Sequence, residues 1–226
     1  MPFKRARHDD EKHARRLSIL NAAQTLFDIE AGQLPTVSQI SKQANIAKGT
    51  LYLYFRSKEE VFLGLLEKIY MEWFATLELA LSLPDSNRNN IIEHICSFVE
   101  LRPEFLQLTA ISRSMIEPNT CDEVLTAHKT RLHKALLKSA YALAGVIPEL
   151  SEREAANLMV RSYAMLQGLW LMCYPATNSV QILEKHNLFT LRPDFGEQAR
   201  KALSALWREP LPGTKPSALK NTLFAH

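Results

Sequence analysis

Three cysteines, seven glycines and no long apolar run are the scarcities that bound this chain of 226 residues. Cys96, Cys121 and Cys173 lie far apart, with no Cys-x-x-Cys pair and no Cys/His ligand spacing. That speaks against a zinc module and a disulfide framework, and leaves buried reduced thiols or a redox switch. With so few glycines and no sustained period-two alternation, no sheet is expected. No apolar stretch approaches the ~18–20 residues needed to span a bilayer. The charged start MPFKRARHDDEKHARR has no signal-peptide core. A cytoplasmic protein without a membrane partner is the expectation. Nucleophile-elbow, P-loop, dinucleotide and H-E-x-x-H patterns are all missing, and the seven histidines form no ligand spacing. Neither an enzyme nor a metal or cofactor site is expected.

What the chain does have is apolar residues (46%) and a lopsided charge. Residues 1–58 hold 10 Lys/Arg against 5 Asp/Glu, whereas the rest hold 17 against 19. A basic N-terminal segment on a slightly acidic body suits a terminal nucleic-acid domain, and a solvated helix face would look the same. Helical periodicity runs through the chain, so the fold class is all-α. Helices are expected at about 9–30, 36–44, 48–54, 57–77, 88–101, 103–116, 120–144, 151–174 and 193–208. The first should stop at Ala31-Gly32, and Pro193 should sit in the first turn of the last. Capping boxes are expected at Thr36/Gln39, Ser57/Glu60, Thr120/Glu123 and Ser151/Glu154. Asn45 suits the left-handed residue of a turn. Val61, Leu65, Ile69, Trp73 and Leu77 form a stripe that makes the fourth helix a connector between two domains.

The order in 36–62 is short helix, tight turn, short helix, then a capped long helix. This is how a helix-turn-helix presents one helix to a major groove. Lys48 can meet a phosphate or a guanine edge. Gly49 lets the backbone come close, and Thr50 suits a base edge carrying a thymine methyl. Tyr52 and Tyr54 place phenol hydroxyls where phosphates would lie, and Leu51 and Phe55 seat the helix. Thr36 opens the second helix as a phosphate site, and Lys58 adds a positive charge. The alternative is a capped helical hairpin with aromatic packing. Two tyrosines at i, i+2 cannot both face one core, however, which favours the groove-reading assignment.

These residues resemble the TetR family of bacterial repressors. That family reads IL-x-A-A-x-x-L-F in its first helix, as residues 19–27 do here. It continues T-x-x-x-I-A and AGVSKGTLYxYF-x-SKE-x-LF, close to ANIAKGTLYLYFRSKEEVF at 44–62. Ser41, Asn45 and Ala47 depart from the pattern, and Ala47 forgoes an N-cap worth ~0.5–2 kcal/mol. The resemblance implies a DNA-binding domain at 1–58 and a helical ligand-binding and dimerisation domain at 59–208, while Pro210, Pro212, Gly213 and Pro216 make 209–226 an expected flexible tail. It also implies a homodimer on a pseudo-palindromic double-stranded operator, released by a small, partly apolar effector. The dimer face would include Leu158, Met165, Leu169, Leu203, Leu206 and Trp207, although the apolar 151–174 helix reads equally well as a core helix. Candidates for the effector cavity are Trp73, Phe74, Phe105, Met115, Tyr163, Leu166 and Trp170, with Arg113 and His133 as polar anchors. Plain packing is the competing reading for each aromatic, and a surface position for the two polar residues. A DNA-binding protein that senses nothing, and an activator rather than a repressor, fit the same residues.

Overall fold

The computed structural model describes residues 2–29 and 34–208. They form ten α-helices and no strand: α1 (Pro2–Ile29), α2 (Val37–Gln43), α3 (Lys48–Tyr52), α4 (Lys58–Leu81), α5 (Arg88–Leu101), α6 (Pro103–Ile111), α7 (Asp122–Val146), α8 (Glu152–Cys173), α9 (Thr177–Lys185) and α10 (Phe195–Leu206). A π-helical turn (Ser112–Ile116) and a 3-10 turn (Glu117–Asn119) join α6 to α7, and a second 3-10 turn (Phe189–Leu191) precedes α10. The architecture is the all-α one expected, with a helix-turn-helix head on a helical body. The expected stop at Ala31-Gly32 and the tail at 209–226 lie outside the described residues.

Local chemistry sets the head. Thr36 Oγ1 accepts from the Gln39 N–H at 3.3 Å while Gln39 Oε1 accepts from the Thr36 N–H at 2.8 Å, a complete capping box. Asn45, at φ 53°, takes the left-handed conformation that turns the chain after α2. Ala47 stands at the N-cap of α3 without a side-chain bond, and α3 ends at Tyr52 rather than the expected Tyr54. Ser57 caps α4, accepting from the Glu60 N–H at 3.2 Å. The second half of that box is not made. Glu60 instead accepts from the Arg56 N–H at 2.8 Å and faces the Cys121 thiol at 3.6 Å.

All five stripe residues of α4 are buried, and Phe62 packs its ring 5.8 Å from that of Phe27 on α1. At roughly 2 kcal/mol per buried apolar side chain, the stripe supplies on the order of 10 kcal/mol of transfer free energy before chain entropy. The core is continuous from α1 to α10, so α4 belongs to head and body alike.

The body departs from the expected helices at four places. The helix expected at 103–116 breaks at Ile111 into the π turn, where Ser112 Oγ donates to Glu117 at 3.1 Å. Thr120 makes no box with Glu123, because its hydroxyl bonds back to the Ile116 carbonyl at 2.8 Å, leaving Cys121 as the N-cap of α7. Helix α9 lies between 174 and 193, where no helix is expected, and it buries no residue. Asp194 caps α10 by accepting from the Glu197 N–H at 2.7 Å, so Pro193 precedes the helix rather than entering its first turn. The Ser151/Glu154 box is complete.

Cys96 and Cys173 are buried thiols, and burial pushes Cys96 up to about 11. Cys121 differs from the buried reading. It is half-buried, with its sulfur 3.1 Å from Arg56 Nη1.

Candidate nucleic-acid interface and effector cavity

Helix α3 offers little to its own core beyond Leu51, which is buried together with Phe55 just after the helix. That seats the helix and turns the rest outward. Lys48 and Gly49 are exposed, and nothing lies within 4 Å of where a Cβ on Gly49 would stand. Tyr52 is exposed, Thr50 and Tyr54 are half-buried, and Lys58 is half-buried with Nζ 3.9 Å from Glu59. Thr36 is exposed with its hydroxyl and N–H engaged by Gln39. The structure adds one residue that sequence reasoning passed over. Leu53 is 79% exposed, on the α3 side that carries Gly49. Its apolar character suggested core, and only the i+4 spacing from Gly49 pointed outward. Leu53 and Tyr54 also border an open groove whose other wall carries Lys12 and Arg15 of α1. The surface therefore joins a short helix with an open backbone to cationic and phenolic groups, a combination suited to a phosphate-lined groove.

In the body, a cavity of about 90 Å³ lies between α4, α7 and α8. Trp73, Phe74 and Tyr163 of the expected set line it, with Tyr70, Leu132, Leu136, Met159 and Val160. Phe105 stands behind this wall, its ring 5.6 Å from Trp73 and 6.4 Å from Tyr163, and Leu166 is buried. Trp170 is placed elsewhere, stacked 4.0 Å from Tyr174. Arg113, Met115 and His133 are exposed and line no part of the cavity. Three i, i+4 pairs, Tyr70/Phe74, Leu132/Leu136 and Met159/Tyr163, are the sequence signal that could have found the full lining. Burial, followed by the hydrogen-bonded Tyr163, holds the Tyr70 phenol well above its ordinary value, so it stays neutral. The Trp73 indole N–H is buried and finds no acceptor.

Between cavity and head lies a charged joint absent from the expectations. Arg131 of α7 grips Glu67 of α4 with two 2.8 Å bonds, and buried His128 Nδ1 lies 3.0 Å from the same carboxylate. Burial pushes Glu67 up, but the bonds from His128 and Arg131 outweigh it and hold the carboxyl below its ordinary value. Arg16 of α1 lies over the Phe55 ring at 5.0 Å, its guanidinium lowered by burial and raised by Glu67. These groups enclose a polar cleft of about 280 Å³ that Tyr54, Arg56 and Glu123 complete. A second set ties α1 to α6 and α4. Gln24 Nε2 donates to Glu104 at 3.0 Å, and Lys68 Nζ donates to Asn21 at 2.9 Å.

Of the residues expected at a dimer face, Leu158, Leu203 and Trp207 are buried inside the protomer, and Trp207 Nε1 donates to Ser162 at 2.8 Å. Met165, Leu169 and Leu206 are half-buried. An exposed side of α8 carries Val160, at the rim of the cavity, with Ala164, Gly168, Leu171 and Met172. No helix among the described residues is long and apolar enough to cross a membrane.

Two family models match the sequence. "Bacterial regulatory proteins, tetR family" covers residues 19–65, and "Tetracyclin repressor-like, C-terminal domain" covers 67–208. Among curated relatives, the HTH-type transcriptional repressor NicS of Pseudomonas putida is 28% identical over 164 residues, 70% of this chain and 73% of that protein. The nucleoid occlusion factor SlmA of a Marinomonas species is 25% identical over 166 residues, 70% and 82% of the two chains. Among solved structures, the regulator FadR of Bacillus subtilis, in complex with stearoyl-CoA, aligns at TM-score 0.55 and 18% identity over 84% of this chain and 96% of its own. The multidrug binding protein EbrR, complexed with imidazole, aligns at 0.53 and 18% over 88% and 97%. At such identities the structural likenesses show the fold.

Proposed function

The chain belongs to the TetR family of bacterial regulatory proteins, and from that premise we propose that it is a ligand-responsive repressor that binds a pseudo-palindromic operator as a homodimer. The observation that carries this reading is the placement of α4, with the recognition helix at one end and the apolar cavity along the other. In this reading α3 enters the major groove. Lys48, Tyr52, Tyr54 and Lys58 hold phosphates, Thr36 opens the helix that braces the backbone, and Thr50 reads a base edge beside Gly49. The relatives give parallel support, since NicS is named a transcriptional repressor.

The effector site is the α4/α7/α8 cavity. Its lining is apolar and aromatic, and at about 90 Å³ it lies far below the ~300–1,000 Å³ of typical ligand pockets. A ligand entering it must push α4 away from α7 and α8. Because α4 also anchors the head, that push changes how α3 meets DNA, with a coupling of ~1–3 kcal/mol. The FadR and EbrR structures, each holding a small molecule, support a sensing role for this fold. The dimer forms through α8 and α10, with Met165, Leu169 and Leu206 beside the exposed α8 face and with Leu158, Leu203 and Trp207 backing the pair from within. A second reading, DNA binding without sensing, draws on the small cavity and the likeness to a nucleoid occlusion factor.

The test is titration of the purified protein against DNA upstream of its own gene and against unrelated duplex at fixed salt. A preference of ~10³-fold or more identifies an operator. Small apolar compounds are then screened for release, with Leu132→Phe, which fills the cavity, as the control. Release that this variant abolishes supports sensing. A specific complex that no cavity ligand disturbs supports the second reading. Equal binding to all duplexes defeats the repressor reading.

A further inference from the structure

The polar cleft at the joint holds more cation than its carboxylates can pair. Helix α1 contributes Arg16 to it, α4 and the turn before it contribute Phe55, Leu63 and Gly64, and α7 contributes Val124 and Ala127. Its three carboxylates are already engaged. Glu67 is held by Arg131 and His128, Glu60 accepts from the Arg56 N–H, and Glu123 pairs with the Arg56 guanidinium at 3.3 Å. Arg16 is the cation left over. It is half-buried, and among the described residues it makes no hydrogen bond or ion pair. Its guanidinium lies 5.0 Å over the Phe55 ring and against Gly64, where a Cβ would come within 3.1 Å of Nη2. Glu67 attracts it from a distance, but Arg131, which already holds that carboxylate, repels it. Two guanidiniums thus share one carboxylate, and a partly desolvated cation costs free energy until an anion meets it.

The walls say which anion. At about 280 Å³ the cleft stands at the lower edge of typical ligand pockets, which suits a compact molecule. Phe55, Leu63, Val124 and Ala127 make part of the lining apolar, so part of the occupant is hydrocarbon. Glu60, Glu67 and Glu123 disfavour a second negative charge on it. A guanidinium fork matches a planar carboxylate through two parallel bonds. Together these select a monoanion with a small apolar body.

We propose that this cleft is a binding site for a small organic acid, whose carboxylate pairs with Arg16 and whose apolar body rests against Phe55 and the flank of α7. The site is separate from the α4/α7/α8 cavity, whose lining holds no charged residue. An acid held there touches α1, α4 and α7 at once, so its occupancy bears on how the head sits on the body. The proposal stands without the DNA reading, because binding is measured on the free protein.

The experiment is calorimetric titration of the full chain with benzoate, with benzamide as its neutral counterpart and inorganic phosphate as an anion without an apolar body. Benzoate should bind at one site per chain, and benzamide and phosphate about tenfold more weakly or worse. Arg16→Gln should weaken benzoate by a similar factor, while Arg16→Lys, which keeps the charge but not the fork, should lose less. Ala127→Glu, which places a fixed carboxylate in the cleft, should block binding, and Leu132→Phe, which fills the apolar cavity, should leave it unchanged. Circular dichroism checks that each variant keeps its helix content. Benzoate affinity that survives both Arg16→Gln and Ala127→Glu overturns the site, and a loss confined to Leu132→Phe moves the acid to the cavity. Phosphate bound as tightly as benzoate overturns the organic-acid class. No binding of any of the three overturns the proposal outright.

Discussion

The two halves of α4 are held in different ways, and the contrast explains how one helix can serve two masters. From Glu60 to Glu67 buried apolar side chains are joined by directional bonds: Arg131 doubly bonded to Glu67, His128 beside it, and the Arg56 backbone N–H donating to Glu60. From Tyr70 to Leu77 rings and aliphatic chains around an open space predominate, with Glu72 paired to Arg102 at the edge. Hydrogen-bonded ion pairs lose most of their energy when partners shift by an ångström or rotate, whereas apolar contacts are non-directional and tolerate sliding. The ion-paired bonds therefore fix this half of α4 to α7, and the half around the cavity is where displacement costs least. In the proposed reading, a push in the cavity would reach the head through α4.

The largest test of this contrast is Trp73→Ala in the apolar half. Trp73 is buried against Phe74 at 5.3 Å and Phe105 at 5.6 Å, so truncation should cost about 3–5 kcal/mol in denaturant unfolding. Trp73→Phe should cost much less, because the indole N–H it removes has no acceptor to lose. A Trp73→Ala loss under about 1 kcal/mol would mean the cavity wall is already slack.

In the charged half, Glu67→Gln should cost about 1–2 kcal/mol near neutral pH, discounted because Arg131 is half solvent-exposed. Its pH dependence carries the sign. Glu67 is depressed below the ordinary value of 4.5, so its contribution is fully present above that value. It is lost as pH falls through the lower folded-state value. The stability gap between wild type and Glu67→Gln should therefore be widest near neutrality and narrow only as pH falls below the ordinary carboxylate value, read as the difference in unfolding free energy. A gap that stays constant with pH would show that the carboxylate charge contributes nothing. A smaller effect is expected at the joint from Gly64→Ala. The added methyl would meet Arg16 Nη2 at 3.1 Å, Phe55 at 3.2 Å and Leu20 at 3.3 Å, so α1 and α4 must part slightly, for about 1 kcal/mol. A neutral outcome would mean that the joint has room to bend there.

Legibility in the sequence followed the same divide. The capping box at Thr36, the left-handed Asn45 and the α4 stripe are set by residues within a few positions of one another, and these matched expectation. The joint did not show, because Glu67 and His128 are 61 positions apart and nothing local marks either as a partner. Glu60 was misassigned for a related reason. Its spacing from Ser57 fits a reciprocal cap, yet a tertiary neighbour, Cys121, and the Arg56 N–H compete for the carboxylate. Helix α9 escaped notice because periodicity is a signal of burial, and no residue of α9 is buried. Arg113 and His133 are polar residues beside helical positions that face the core, and both are exposed.

The smallest effect sharpens the comparison from the head. Ala47 has the extended backbone of an N-cap, φ −69° and ψ 149°, but no oxygen to offer, so α3 starts with its first amides uncapped by a side chain. Ala47→Ser supplies the acceptor at a position already in the right conformation, so the gain should be close to the low end of the N-cap range, about 0.5–1 kcal/mol. Because α3 is only five residues long, that gain is large relative to the helix itself and falls on the segment proposed to enter the groove. The variant should therefore raise the unfolding midpoint slightly and tighten operator binding a few-fold, through a slower off-rate, while leaving cavity-ligand affinity in free protein unchanged. Tighter DNA binding with unaltered stability would place the new hydroxyl on a phosphate instead of on the helix end. Weaker binding would mean that α3 needs its loose start to fit the groove.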